Sequence, residues 1–199
     1  MTRRMRTCRM NTLRALGLAA TALVLAGCAS DDGVAGSVGD AGYVSGDGFV
    51  TEIAAGDRGE AMEFGGETVD GDAWTTSENA GVTVVNFWYA ACPPCRVEAP
   101  VLVDLHEEYG GDVSFVGVNV RDGAAQAESF DETFGIEYPS ILDAQDAAVQ
   151  RAFSGQIAPN AVPTTIILDA EGRIAARISG AVSDTSIIST LLDEELARQ

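Results

Sequence analysis

Residues 49–199 predict an α/β domain, a sheet flanked by helices. Two observations carry this. The runs 82–88 and 113–120 are nearly continuous in apolar and β-branched residues, the pattern of strands covered on both faces. Each run is followed by a stretch with helical apolar spacing, at 93–109 and 124–134.

The chain before this domain has a different composition. Residues 1–27 contain Arg3, Arg4, Arg6, Arg9 and Arg14, no acidic residue, and an apolar run over 15–26. A basic start, a short apolar core and small residues before a break make a secretory signal. The run falls short of the roughly 20 apolar residues that span a bilayer. The end, Leu25-Ala26-Gly27-Cys28, resembles the bacterial lipobox, which implies that Cys28 is lipidated and becomes the new N-terminus. Residues 28–48 are rich in Ser, Asp, Gly, Ala and Val without apolar periodicity, and read as a flexible tether. The expected organisation is a signal at 1–27, a tether at 28–48 and one domain at 49–199, held by its lipid at the extracytoplasmic face of the cell membrane.

Within the domain, Met62-Glu63-Phe64 and Ala73-Trp74-Thr75 flank turn-like glycines and predict a short hairpin. A strand at 82–88 then runs into a helix at 93–109. Val97, Val101, Leu105 and Tyr109 recur on one face of it, with Leu102 beside them. Pro100 lies inside, where a proline kinks a helix, and Gly110-Gly111 ends it. A strand at 113–120 leads to a helix at 124–134 closed by Gly135. A short extended piece at 138–142 and a helix at 145–153 follow. Strands at 164–168 and 174–178 are joined by a tight turn at 169–173, and a helix at 183–196, capped by Ser183 or Asp184, closes the domain.

Charge narrows the partners. Without the leader's five arginines the chain keeps seven basic residues against 30 acidic ones, a balance of about −23, and it has no lysine. That excludes nucleic acid, whose phosphates need basic contacts. It also leaves the Cys28 lipid as the only membrane attachment. Cys8 leaves with the signal and Cys28 is blocked, so Cys92 and Cys95 remain as the thiols. One closely spaced pair in an exported chain is a single switchable bond or half of a metal site.

Local chemistry favours the bond. With Cys92 at the helix N-cap, Pro93 and Pro94 fill the first two helical positions, where a missing N–H matters least. A cap side chain normally accepts from the second or third N–H. The second belongs to proline here, so the Cys95 N–H is the main donor to the Cys92 sulfur, and the helix dipole adds positive potential. Both favour the thiolate, the nucleophile of thiol–disulfide exchange. Cys92 is therefore the attacking thiol and Cys95 the resolving one. A tetrahedral zinc site needs four ligands, but the chain offers no second pair and one histidine, His106. His106 reads as a half-exposed helix residue, and no metal is expected.

Val84-Val85-Asn86-Phe87-Trp88, then Cys92-Pro93-Pro94-Cys95-Arg96-Val97-Glu98-Ala99-Pro100, then Val162-Pro163-Thr164-Thr165 resemble the thioredoxin-like redoxins of the TlpA/ResA/CcmG type over roughly residues 60–199. The resemblance implies a thioredoxin fold, a central mixed sheet flanked by helices, with an N-terminal hairpin and a helical insertion at 123–143. It implies a redox-active Cys92–Cys95 disulfide, and a cis Val162–Pro163 bond beside it that turns the Val162 backbone to a bound substrate chain. Trp88, Pro93, Pro94 and Val162 are then substrate-binding, and Pro163 belongs with the catalytic residues. Glu98, three residues beyond Cys95 on the same side of the helix, is the expected proton relay for the resolving thiol. Arg96 would support the thiolate weakly.

Two positions depart from the pattern. Ala91 replaces a common tryptophan, which should open the surface around Cys92. Asn86 stands where thioredoxins carry a buried aspartate, and reads as a satisfied core amide. The implied function is a membrane-anchored extracytoplasmic thiol–disulfide oxidoreductase, a monomer without cofactor. It would reduce disulfides of exported proteins, including the haem-attachment cysteines of apocytochrome c, with electrons from a membrane thiol carrier of the CcdA/DsbD type. The alternatives are an oxidant that forms disulfides, and a copper or other metal chaperone, against which the two-residue cysteine spacing and the absence of a later histidine argue.

Overall fold

The computed structural model describes residues 43–45, 48–157 and 161–199. The signal at 1–27, Cys28 and tether residues 29–42 lie outside the described residues. The tether reading needs one correction, because a strand lies within its span. β1 (Tyr43–Ser45) pairs antiparallel with β2 (Gly48–Glu52).

β3 (Gly65–Glu67) and β4 (Ala73–Thr75) form the hairpin. Its first strand begins at the glycines that read as a turn. A Cβ on Gly65 would meet the Trp74 carbonyl oxygen at 2.5 Å, and one on Gly66 would meet Ile141 at 2.5 Å. These glycines serve close approach rather than reversal of the chain.

The main sheet adds β5 (Thr83–Trp88), β6 (Ser114–Asn119), β7 (Ser140–Leu142), β8 (Thr164–Leu168) and β9 (Ile174–Ser179). The strand order is β1-β2-β9-β8-β5-β6-β7. β5 runs parallel to β6 and antiparallel to β8, so the sheet is mixed. Every residue of β5 is buried, as its composition predicts. The helices are α1 (Pro93–Tyr109), α2 (Ala124–Phe134), α3 (Ala148–Ala152) and α4 (Ser186–Leu196). This is the thioredoxin fold, with α2 and β7 inserted between β6 and α3.

Strand alternation sorts the core into two layers. Val84 packs with Val101, Leu102 and Leu105 of α1 and Ile188, Leu191 and Leu192 of α4. Val85 and Phe87 point the other way, to Val149, Phe153 and the hairpin's Phe64 and Trp74. Asn86 and Trp88 share the parity of Val84, so both face the α1 side.

The burial of α1 corrects its expected stripe. Val97 is 60% exposed, whereas Cys95, Glu98, Ala99, Val101, Leu102 and Leu105 are buried. The inward face is thus centred on Cys95, Glu98 and Leu102. Two other helices are shorter than expected. α3 starts at Ala148 because Ala147 is left-handed (φ 54°) and the Asp143 carboxylate accepts from the Val149 and Gln150 N–H groups. α4 starts at Ser186 with Thr185 at its N-cap, and the expected cap Asp184 instead accepts from the Ser186 N–H at 2.9 Å. α2 ends on left-handed Gly135 (φ 71°), as a glycine C-cap does.

Candidate active site

β5 delivers the chain to the N-terminus of α1 through Tyr89-Ala90-Ala91. Cys92 is the N-cap (φ −76°, ψ 110°), and Pro93 and Pro94 hold the first two helical positions. The Cys95 N–H donates to Cys92 Sγ at 3.2 Å, the one cap bond that the prolines leave. Cys92 and Cys95 are joined by a disulfide with Cα atoms 5.3 Å apart.

Both cysteines are 2% exposed. This corrects the expectation that Ala91 opens the surface around Cys92. The pair lies in a cluster with Trp88, Ala99, Ala127 and Phe130, against which half-buried Val69, Phe134 and Val162 pack. The inserted helix α2 supplies Ala127 and Phe130 to the cluster that buries the pair. Ala91, Pro93, Pro94 and Val97 are exposed, so Cys92 lies beneath an apolar rim. Trp88 is also corrected as a substrate-binding residue. It is 2% exposed and its ring lies 4.3 Å from that of Phe130, beneath the pair rather than at the surface.

The Val162–Pro163 bond is cis. Pro163 is buried at the start of β8, its carbonyl accepting from the Gly180 N–H at 2.9 Å. Val162 touches the cluster that holds the cysteines.

Glu98 is 1% exposed. Its carboxylate accepts from Asn86 Nδ2 at 2.8 Å and weakly from the Val182 N–H at 3.4 Å. Burial dominates these bonds and pushes its pKa up to about 8. Asn86 is the satisfied core amide that the sequence predicts, donating also to Thr165 Oγ1 at 3.0 Å. Thr165 is its cross-strand partner on β8, a contact set by register and invisible in the sequence. A cavity of about 10 Å³ adjoins Cys95, lined by Asn86, Trp88, Ala99 and Tyr138 among others. That is the lower limit for one water. His106, half-buried, is 5.4 Å from the Tyr138 ring and 5.2 Å from Phe115.

Sequence reasoning missed the loop after β6. The Asn119 carbonyl oxygen of the side chain accepts from the Arg121 and Asp122 N–H groups, and Asp122 Oδ2 accepts from the Ala90 N–H. Arg121 lies 4.0 Å over the Tyr89 ring. Arg96 lies 4.9 Å from the Phe134 centroid and 3.4 Å from the Ala90 carbonyl oxygen. The signal available was a polar strand end, Asn119-Val120-Arg121-Asp122-Gly123, where a loop starts.

Fold and site define a thioredoxin-fold protein with a CXXC disulfide at a helix N-terminus. The chain belongs to the Redoxin family, whose model matches residues 54–192. It is 31% identical over 104 residues to the thiol-disulfide oxidoreductase ResA of Geobacillus thermodenitrificans, covering 52% of this chain and 57% of that protein. It is 33% identical over 116 residues to the thiol:disulfide interchange protein HelX of Rhodobacter capsulatus, covering 58% and 61%. The chain thus spans about three fifths of the length of these curated relatives. Among solved structures, a DsbF homologue from Corynebacterium diphtheriae matches with a TM-score of 0.66 and 31% identity, over 78% of this chain and 99% of that one.

Proposed function

We propose that this protein is an extracytoplasmic thiol–disulfide oxidoreductase that reduces disulfides of exported proteins. The observation that carries the reading is the Cys95 N–H aimed at Cys92 Sγ on a helix N-terminus, in a chain akin to proteins named for this exchange. In the reduced state the Cys92 thiolate attacks a substrate disulfide, releasing one substrate thiolate and forming a mixed disulfide. Cys95 then attacks the Cys92 sulfur, closes the Cys92–Cys95 bond and releases the second substrate thiolate. Two electrons pass from the pair to the substrate.

The second step needs the Cys95 proton removed. Glu98 follows Cys95 by one helical turn on the buried face, and its pKa near 8 suits a base acting on a thiol of ordinary pKa about 8.5. Asn86 and the Val182 N–H hold the carboxylate in place. The Val162 backbone, beside buried Pro163, offers an extended substrate segment a partner, while Pro93 and Pro94 form the rim it crosses.

The finer reading adds the site of action. The basic leader and Leu25-Ala26-Gly27-Cys28 support a lipid anchor on Cys28, and the resemblance to redoxins of the TlpA/ResA/CcmG type implies apocytochrome c among the clients and a CcdA/DsbD-type membrane carrier as the electron source. Cell fractionation tests the anchor: Cys28→Ala moves the protein out of the membrane fraction, and unchanged partition rejects it.

Trapping tests the assignment of roles. Cys95→Ala accumulates mixed disulfides between Cys92 and clients, recovered on non-reducing gels. Trapping by Cys92→Ala instead would reverse the roles. The redox potential gives the direction, since a value near −270 mV marks a reductant and one near −120 mV an oxidant.

A further inference from the structure

The seven arginines beyond the leader are unevenly engaged. Arg58, Arg173 and Arg198 form ion pairs. Arg151 and Arg177 donate to the Asp146 and Gln156 carbonyl oxygens. The remaining two, Arg96 and Arg121, flank the reactive turn, and among the described residues neither has a carboxylate within ion-pair distance. Both are exposed. They reach adjacent residues of the turn, Arg121 lying over the Tyr89 ring and Arg96 donating to the Ala90 carbonyl oxygen.

Their mode of attachment matters. Arg96 lies over the rings of Phe134 and Phe130, and Arg121 over that of Tyr89. Stacking engages the guanidinium face and leaves the N–H edge, which matches a carboxylate in bidentate fashion. The one acidic side chain bonded into this turn, Asp122, already accepts from the Ala90 N–H and from Asn119 Nδ2. The turn beside the disulfide thus presents two exposed guanidinium groups without an ion-pair partner among the described residues, next to one carboxylate already held by neutral donors, on a strongly acidic chain.

The geometry points to Arg96 and Arg121 as a docking pair for acidic residues that flank the disulfide of a client polypeptide. The inference rests on the oxidoreductase reading above. It makes a choice that net charge alone would make the other way, because long-range attraction to the acidic domain favours basic clients, whereas contact at the rim favours acidic ones. At contact distance the local pair dominates, since screening removes the distant charges first.

The test uses the reduced protein and three synthetic disulfide peptides of one length, with glutamates, serines or lysines beside the cysteines. The second-order exchange rate is measured at about 0.15 M and about 1 M salt, where the screening length falls from roughly 8 to 3 Å and the distant charges are already screened at the lower value. The acidic peptide should react on the order of three- to tenfold faster than the neutral one at low salt, and less than about twofold faster at high salt. The double variant R96Q/R121Q should bring the acidic-to-neutral ratio to about one, and R96K/R121K should keep most of it. An effect of Arg96 on thiol reactivity alone would scale all three rates and leave the ratio unchanged, which would overturn the proposal. So would equal rates, or faster exchange with the lysine peptide, while the neutral peptide still exchanges and the oxidoreductase reading stands. If no peptide exchanges, that reading falls and the docking pair falls with it.

Discussion

Pro94 shows how a missing atom can tune a thiol. An N-cap side chain accepts from the second or third helical N–H, and here the second position is Pro94 while the third, Cys95, donates to Cys92 Sγ. Pro94→Ala supplies a second donor and should stabilise the reduced, thiolate form. A bond to a charged acceptor contributes about 1.5–3 kcal/mol, which for a two-electron couple raises the potential by roughly 30–60 mV. Equilibration with a glutathione buffer reads this shift, and a potential within 10 mV of the parent, roughly 0.5 kcal/mol, would mean that the new N–H does not reach the sulfur. This residue-scale chemistry was legible because caps and prolines act locally. The covering of Cys92 was not, because Phe130 and Phe134 come from α2, more than 30 residues later in the chain.

At the scale of elements, the legible helices were those with strong punctuation. α1 and α2 begin and end where their prolines and glycines placed them, whereas α3 and α4 start late, at Ala148 and Ser186, because carboxylates of Asp143 and Asp184 take the N–H groups nearby. A tie between elements stayed hidden in the sequence for a related reason. Arg58 donates to the Ile53 carbonyl oxygen, to Asp169 in the β8–β9 turn at 2.9 Å, and to both oxygens of Glu195 in α4 at 2.8 and 2.7 Å. Its side chain is 4% exposed, so the loop after β2, the turn and the last helix share one buried cation. Arg58→Met leaves two buried carboxylates with only their peripheral partners, Arg173 and Arg198. Breaking a buried pair costs about 3–5 kcal/mol, and the surviving partners place the expected loss near 3 kcal/mol, read from the urea midpoint. A loss under 1 kcal/mol would show that Arg173 and Arg198 suffice.

For the whole molecule, buried carboxyls set the response to pH. Burial raises Glu98 to about 8, and burial with the nearby Asp70 carboxylate raises Asp131 to about 7. The folded chain therefore holds protons that the unfolded chain releases near pH 4, and stability falls as pH rises between there and 8. Asp169, held low by the Arg173 N–H and Arg58 against the opposing effect of its burial, acts in the opposite sense and loses its contribution only in acid. Thermal melts of the oxidised protein should show Tm falling from pH 5.5 to 8.5. Glu98→Gln should flatten that slope, each such group contributing at most about 1.4 kcal/mol per pH unit. A parent protein with level Tm across this range would place Glu98 in the ordinary carboxylate range.

The strand order also fixes when each part of the molecule can form as the chain is made. β5 meets β6 soon after it appears, but β8 pairs with it only from residue 164 onward. β2 waits for β9, where Phe49 faces Ser179 and Thr51 faces Arg177, and Arg58 waits for Glu195. Contacts so distant in sequence form last. Cys92 and Cys95 are thus produced long before Pro163 or α2 can cover them. For that interval the pair is open to whatever thiols or oxidants surround the growing chain, before the fold that buries it has formed.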